Sequence, residues 1–388
     1  MRRKHLLLLL ILPVLLCSSG CSSSSSIWAN YRQIEQLKLV QTLGIDAESN
    51  GVRLSFSTGK PMEGETPLRM SQTAPSLQLA MNLLQDYTAD ASLFYAHTRY
   101  VVIGQSAAEA GIAPYLDFVE RDVDMRLSAP MFIIYNATAQ EAVMNTGGDK
   151  VDITENLSAM ELDVSRQGNG HAFTCGEIAQ ALASSGSALA CAAVCAEAQE
   201  PDEGETLLPY GYAILKDGKL VDFLHGAPTI GVNLLLNLGG HGDVLLTDAQ
   251  GTQVTVALDS SKADFSPVWN DDGSLKRVEV SISAHAAITE LAMPQQISDA
   301  AYLEQLDQAL ANTIRGWVET ILSQSQELRA DFLGIGQEIA TRSPNKWAKI
   351  RADWQNILPE TEFLISVNGL IERTYDLQDS ISVTGGAS

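Results

Sequence analysis

Hydrophobic residues recur along this chain with two periods, and the switches between them mark out the elements. Val52, Leu54 and Phe56 alternate with Arg53 and Ser55, the spacing of a strand with one buried face. Thr73 and Ser76 flank Pro75 just ahead of Leu77, Ala80, Met81 and Leu84, whose steps of three and one predict a helix. Residues 100–103 and 131–135 are short unbroken apolar runs, expected as buried strands, the first ended by Gly104. Between them, residues 107–120 read as a helix that breaks or restarts at Pro114. The Ala-rich stretch 177–198 reads as a further helix, which would put Cys191 and Cys195 on one face. The first half is therefore expected to alternate α and β.

The second half has a different order. Residues 211–215 and 220–224 flank Lys216-Asp217-Gly218-Lys219, and an Asp-Gly pair between apolar runs signals a tight hairpin. Val254, Val256 and Leu258 alternate, as do Val278, Val280 and Ile282, with a turn at Asn270-Asp271-Asp272-Gly273 between them. Leu303, Leu306, Leu310, Ile314, Trp317 and Ile321 form the apolar stripe of a long helix that Ser298 or Asp299 would cap. Phe363, Ile365 and Val367, with Ile371, predict a closing strand. Strands, one long helix and a strand make an α+β order, so the expected class is α+β or mixed α/β with mixed sheets. Residues 199–206 are acidic, contain Pro201 and Gly204, and have no bulky apolar side chain, which reads as a solvated linker. The expected division is an N-terminal α/β domain at 31–198, a small middle domain at 207–247 and a C-terminal α+β domain at 248–378.

The first residues follow neither period. Arg2, Arg3 and Lys4 precede an apolar run at 6–16, too short for the roughly 20 residues that span a bilayer but right for the core of a signal peptide. Small residues follow, ending in Gly20-Cys21. A small residue directly before a cysteine is the cleavage signal of bacterial lipoproteins, so residues 1–20 are expected as a signal peptide and Cys21 as the lipidated N-terminus. The position three before the cysteine, usually Leu, is Ser18; Cys17 is a poor rival because Leu16 precedes it. The alternative is an ordinary secretory signal with Cys21 a plain thiol. Serines at 22–26 cannot build a core and suit a flexible tether over 21–30.

Composition sharpens this. The 25 basic and 47 acidic residues leave a net charge of −22, and loss of Arg2, Arg3 and Lys4 would bring it to −25. Such a body has no affinity for nucleic acid and is repelled by anionic lipid, so acyl chains would have to supply membrane attachment. Chemistry is sparse. There is no HExxH, no G-x-S-x-G and no phosphate loop. The glycine-rich Gly239-Gly240-His241-Gly242 lacks a strand–helix context and reads as a turn. Cys175, Cys191 and Cys195 are an odd set without metal-ligand spacing, and His97, His171, His225, His241 and His285 are scattered. Asp117, Arg121 and Arg126 form a charged cluster that either contacts a partner or makes surface ion pairs. No cofactor is implied.

Several segments, in one order, carry a resemblance. Trp28 and Arg32-Gln33-Ile34-Glu35 lead to Leu39-Val40 and Gly44-Ile45-Asp46. Then come Phe94-Tyr95-Ala96-His97, Val101-Val102-Ile103-Gly104, the segment 111–118, and Arg121-Asp122 through Arg126. The last part has Asp331-Phe332-Leu333-Gly334-Ile335-Gly336, then Pro344-Asn345-Lys346-Trp347, Trp354 and the closing strand. This series resembles the Ger(x)C family, the lipoprotein C subunit of spore germinant receptors. Val123 stands where many members have Pro. The resemblance implies three α/β domains in series and a lipid-anchored subunit beside two integral membrane subunits in the inner membrane of a dormant spore. It also implies that the subunit is needed for the response to small nutrients without being a catalyst. Two other readings compete: a solute-binding lipoprotein that delivers a nutrient to a transporter, and a lipid-anchored envelope hydrolase, which the missing nucleophile and metal motifs disfavour.

Overall fold

A computed structural model describes residues 37–59, 66–88, 91–122, 125–146, 152–197, 205–291 and 300–372. The signal peptide, Cys21, the tether, Trp28, the Arg32–Glu35 motif, Val123, most of the acidic segment and the helix cap at Ser298 or Asp299 lie outside the described residues.

The first body is a three-layer α/β/α unit. Its strands are β2 (Thr42–Glu48), β3 (Gly51–Ser57), β4 (Arg69–Ala74), β6 (Tyr100–Gly104), β7 (Met131–Tyr135), β8 (Ser187–Glu197), β9 (Glu205–Lys216) and β10 (Lys219–Leu224). They form one sheet in the order β10-β9-β8-β7-β6-β2-β3-β4. The central β2, β6, β7 and β8 are parallel, and antiparallel strands flank them on both sides. A small parallel pair joins β1 (Leu37–Leu39) to β5 (Ser92–Phe94). The strands β6 and β7 are nearly continuous apolar runs because both faces are covered. On one face, Val101, Ile103, Met131 and Ile133 meet α1 (Leu77–Tyr87), α2 (Gln105–Ala110), α3 (Ala113–Arg121) and α6 (Cys175–Ser185). On the other, Val102, Phe132 and Ile134 meet α4 (Ala139–Asn145) and α5 (Ile153–Gln167). Ser76 caps α1 as expected. The expected helix at 107–120 is α2 and α3, with Gly111 at φ 130° between them and Pro114 in the first turn of α3.

The second body packs a long helix on a mixed four-stranded sheet. The sheet runs β11 (Gly242–Thr247), β12 (Gln253–Trp269), β13 (Leu275–Leu291), β14 (Phe363–Glu372), with β14 parallel to β13. The helix α8 (Ala300–Leu328) buries Leu306, Leu310, Ile314 and Ile321 against Val254, Val256, Val278, Val280 and Ile282. Short helices α7 (Pro228–Leu235), α9 (Ile335–Arg342), α10 (Pro344–Ile350) and α11 (Trp354–Ile357) close this core. Among the described residues no helix is long and apolar enough to cross a membrane.

Two expectations need correction. The Ala-rich stretch is not one helix: α6 ends at Gly186, at φ 72°, and 187–197 is strand β8 in the middle of the sheet. Alanine and cysteine are small enough for a strand crowded on both faces, and a run of small residues carries neither period. Cys191 and Cys195 share a strand face, about 13 Å apart along it at 3.3 Å per residue, too far to bridge. The acidic segment, expected to separate domains, instead precedes a strand that folds straight back: Glu197 and Glu205 are antiparallel partners. An acidic stretch with Pro and Gly can connect two strands of one sheet as well as two domains. The residues expected as a middle domain are accordingly shared out, β9 and β10 in the large sheet and β11 in the small one. The hairpin between β9 and β10 is as predicted, with Asp217 and Gly218 at φ 50° and 75°.

Candidate functional site

In open sheets with parallel strands, ligands sit beyond the carboxyl ends of the strands where the winding direction reverses. Here that point lies between β2 and β6, since β3 and β4 continue to one side and β7 and β8 to the other. The chain's own Asp46 occupies it. Asp46 accepts from the backbone N–H groups of Ala139 and Gln140, at 2.7 and 2.8 Å, at the start of α4. A helix N-terminus with free amides attracts an anion, and this one is already satisfied from within. Gly104 keeps the space open: a Cβ there would lie 2.0 Å from Asp46 Oδ1. Gly44 lets α4 approach, since a Cβ would meet Val143 at 2.9 Å. Burial raises the Asp46 pKa from its ordinary 3.8, opposed by the two amides and Arg53. The Gly44-Ile45-Asp46 motif and Gly104 thus form one internal clasp, in the place where a nucleotide-binding sheet would hold phosphate.

A second buried carboxylate organises the junction of the two bodies. Asp331 accepts from Ile335 N at 2.8 Å, Gly336 N at 2.7 Å and Trp354 Nε1 at 2.8 Å. Burial raises its pKa and these donors oppose the rise. Gly336 has no room for a Cβ, which would come within 2.5 Å of Trp347. Phe332 and Leu333, presented by this turn, line a narrow crevice of about 270 Å3 against Leu189 and the side of α6. The core of the second body also takes Leu189, Tyr212, Ile214 and Leu224 from the large sheet.

The sequence-predicted contact residues fall in two places. Asp117 and Arg121 form an exposed ion pair of 2.8 Å on α3, at the rim of a groove of about 540 Å3 between α3 and the start of α1. Arg126 lies elsewhere, in a pocket of about 310 Å3 with Arg99, Tyr100 and Glu161. His97 is exposed and its ring lies 5.6 Å from that of Phe94. Cys175 and Cys191 are buried and Cys195 half-buried, all reduced. Burial pushes their thiols up to about 12, 12 and 11, which removes thiolate chemistry near neutral pH. Among the described residues no three His, Cys, Asp or Glu groups converge as metal ligands.

The sequence reading missed a cleft of about 610 Å3 where the bodies meet. Arg166, Asn169, Tyr210, Thr229, His241 and Asp243 line it. Its floor depends on glycines: a Cβ on Gly168 would lie 1.9 Å from His241 O, and one on Gly242 would lie 2.6 Å from Gln167 O. The Gly239–Gly242 stretch read as a turn is the signal that pointed there.

The family model described as "Spore germination protein N-terminal domain" matches residues 30–193, and "Spore germination B3/ GerAC like, C-terminal" matches 210–375. Spore germination protein KC of Bacillus subtilis (strain 168) is 22% identical over 96% of this chain and 97% of its own. Putative spore germination protein YfkR of the same organism is 21% identical over 96% and 98%. Spore germination protein B3, also from that organism, is 25% identical over 41% and 42%. The crystal structure of the GerBC protein superposes with a TM-score of 0.58 at 18% identity, over 85% of this chain and 96% of that one.

Proposed function

Because the chain belongs to the B3/GerAC-like spore germination family, we propose that it is the lipid-anchored C subunit of a spore germinant receptor. Its part is assembly or coupling in the response to nutrients. The observation that carries this is the correspondence of nearly the whole chain with spore germination protein KC, matched at both ends by family models in order. Gly20-Cys21 places the acyl chains at the head of the serine tether, and two acyl chains suffice for stable anchoring. The body then stands at the outer face of the spore inner membrane beside two integral membrane subunits. Asp117 and Arg121, exposed on α3, and Arg126 are surface groups available for contact. The internal clasp at Asp46 supports a non-catalytic role, since the position where a sheet of this kind would bind a reactive ligand is filled. Spores carrying Cys21→Ala test the anchor. The expected result is a protein lost from the membrane fraction and a weakened nutrient response; normal germination by such spores would sink this assignment.

One observation favours the second reading, a solute-binding lipoprotein serving a transporter. The cleft between the bodies is mixed in polarity and sits at a junction, where small-molecule sites concentrate. Calorimetry of the soluble body against amino acids and sugars separates the two. Micromolar binding, abolished by Tyr210→Ala, would favour solute capture over a scaffold.

A further inference from the structure

Tyr100 opens β6 and is the partner of Thr42 at the start of β2. Arg99 therefore stands at the end of the large sheet where the chain enters from residue 37. Its backbone N–H donates to Gln41 O at 2.7 Å. The segment that precedes β7 brings Arg126 to the same end, with Val101 N donating to Pro130 O at 3.0 Å. Arg99 and Arg126 line one pocket of about 310 Å3 with Thr98, Ser128 and Glu161. Both guanidinium groups are exposed, and among the described residues neither belongs to an ion pair. Arg99 lies 5.5 Å over the Tyr100 ring, with Nη2 3.4 Å from Ser158 Oγ. Glu161 is engaged, its Oε2 accepting from the Tyr100 hydroxyl at 2.8 Å. Two cations thus face one carboxylate, in a chain whose net charge is −22. Leu127, next to Arg126, is 39% exposed, and Leu39, two residues before Gln41, is 37% exposed.

We propose that this pocket binds phosphate, and that its occupant is a phospholipid headgroup of the membrane that carries the chain. The proposal rests on lipidation at Cys21. Residues 22–36 then connect the acylated position to the end of the sheet that carries the pocket. Guanidinium groups match phosphate oxygens in a fork geometry and hold them better than an ammonium does. Exposed leucines beside arginines suit the headgroup–acyl boundary, where apolar groups sink and cations meet phosphate. A body with a net charge of −22 would be held at this corner. The site therefore sets which end faces the membrane, while the acyl chains supply the attachment.

The test is flotation of the mature chain, started at position 21 with Cys21→Ser, on phosphatidylcholine vesicles with and without phosphatidylglycerol. The expected result is weak binding to the anionic vesicles that Arg99→Gln with Arg126→Gln reduces about thirtyfold, given roughly 1 kcal/mol for each of the two surface arginines, with Glu161 opposing parent and variant alike. Both side chains are exposed, so thermal melting of the double variant should match the parent. Equal flotation of parent and double variant would overturn the proposal. So would millimolar inorganic phosphate filling the pocket with no vesicle binding, which would identify a free anion. Absent vesicle binding with a germination defect in double-variant spores would identify an acidic protein segment and overturn it as well. The anchor is judged separately: acylated parent that stays on spore membranes keeps the lipidation standing whichever way flotation falls.

Discussion

Two aspartates show how much one residue can fix in this protein. Asp331 serves three donors, and Asp331→Ala would strand two backbone amides and the Trp354 indole in a dry interior. With about 1–3 kcal/mol for each buried group left unsatisfied, the loss should be at least about 3 kcal/mol, read from the urea midpoint. Asp46 offers a pH test. Its folded pKa is raised by burial, so its contribution is complete below the unfolded value of 3.8 and fades as pH rises through the folded value. Asp46→Asn removes that titration. The stability of the parent relative to the variant should fall as pH is raised above 3.8 and level off once the carboxyl is ionised; a relative stability that climbs with pH would contradict this assignment. The exposed pair is a contrast: Asp117→Ala with Arg121→Ala should change stability by less than about 1 kcal/mol. The Asp117–Arg121 ion pair was legible in the sequence because its partners stand four residues apart on one helix. The role of Asp46 was not, since its donors lie 93 and 94 residues further along the chain.

At the level of elements, the apolar pattern served well where the buried residues are large and failed where they are small. The strands β12, β13 and β14 and the helix α8 each bury a single face, and their alternation or stripe could be read directly; β3 buries Ser55 and Ser57 as well, yet its large apolar residues still alternate with polar ones. The strand β8 is central, with Ala188, Ala190 and Ala192 on one face and Leu189, Cys191 and Ala193 on the other, all buried. Small residues on both faces leave no pattern, and alanine's helix propensity tipped the reading the wrong way. Ala190 has no exposed surface and sits between β7 and β9 on the side of α6. Ala190→Leu should therefore overpack the sheet and cost about 1–3 kcal/mol, measured by chemical denaturation. On a surface helix the same change would be nearly neutral.

The whole molecule holds its two bodies together through shared core and a few directed bonds. Leu189, Tyr212, Ile214 and Leu224 of the large sheet belong to the second body's core. Lys216 Nζ donates to Leu328 O at 2.9 Å, Gln324 Nε2 to Asp222 Oδ2 at 2.8 Å, and Asn233 Nδ2 to Gly170 O at 3.1 Å. If this junction couples the bodies, they unfold as one unit even though the sequence looked like separate domains. The tryptophans allow a direct check. Among the described residues Trp269, Trp317, Trp347 and Trp354 all lie in the second body, so their fluorescence follows that body, while far-ultraviolet circular dichroism follows both. The two melting curves should coincide for the parent chain. Phe332→Ala with Leu333→Ala removes the plug between the Asp331 turn and α6, at a cost of at least about 3 kcal/mol if the site does not collapse. That variant should melt in two separable steps, with fluorescence leading. Curves that separate already in the parent would mean that the bodies are independent, and that a signal received by one has no rigid path to the other through this junction.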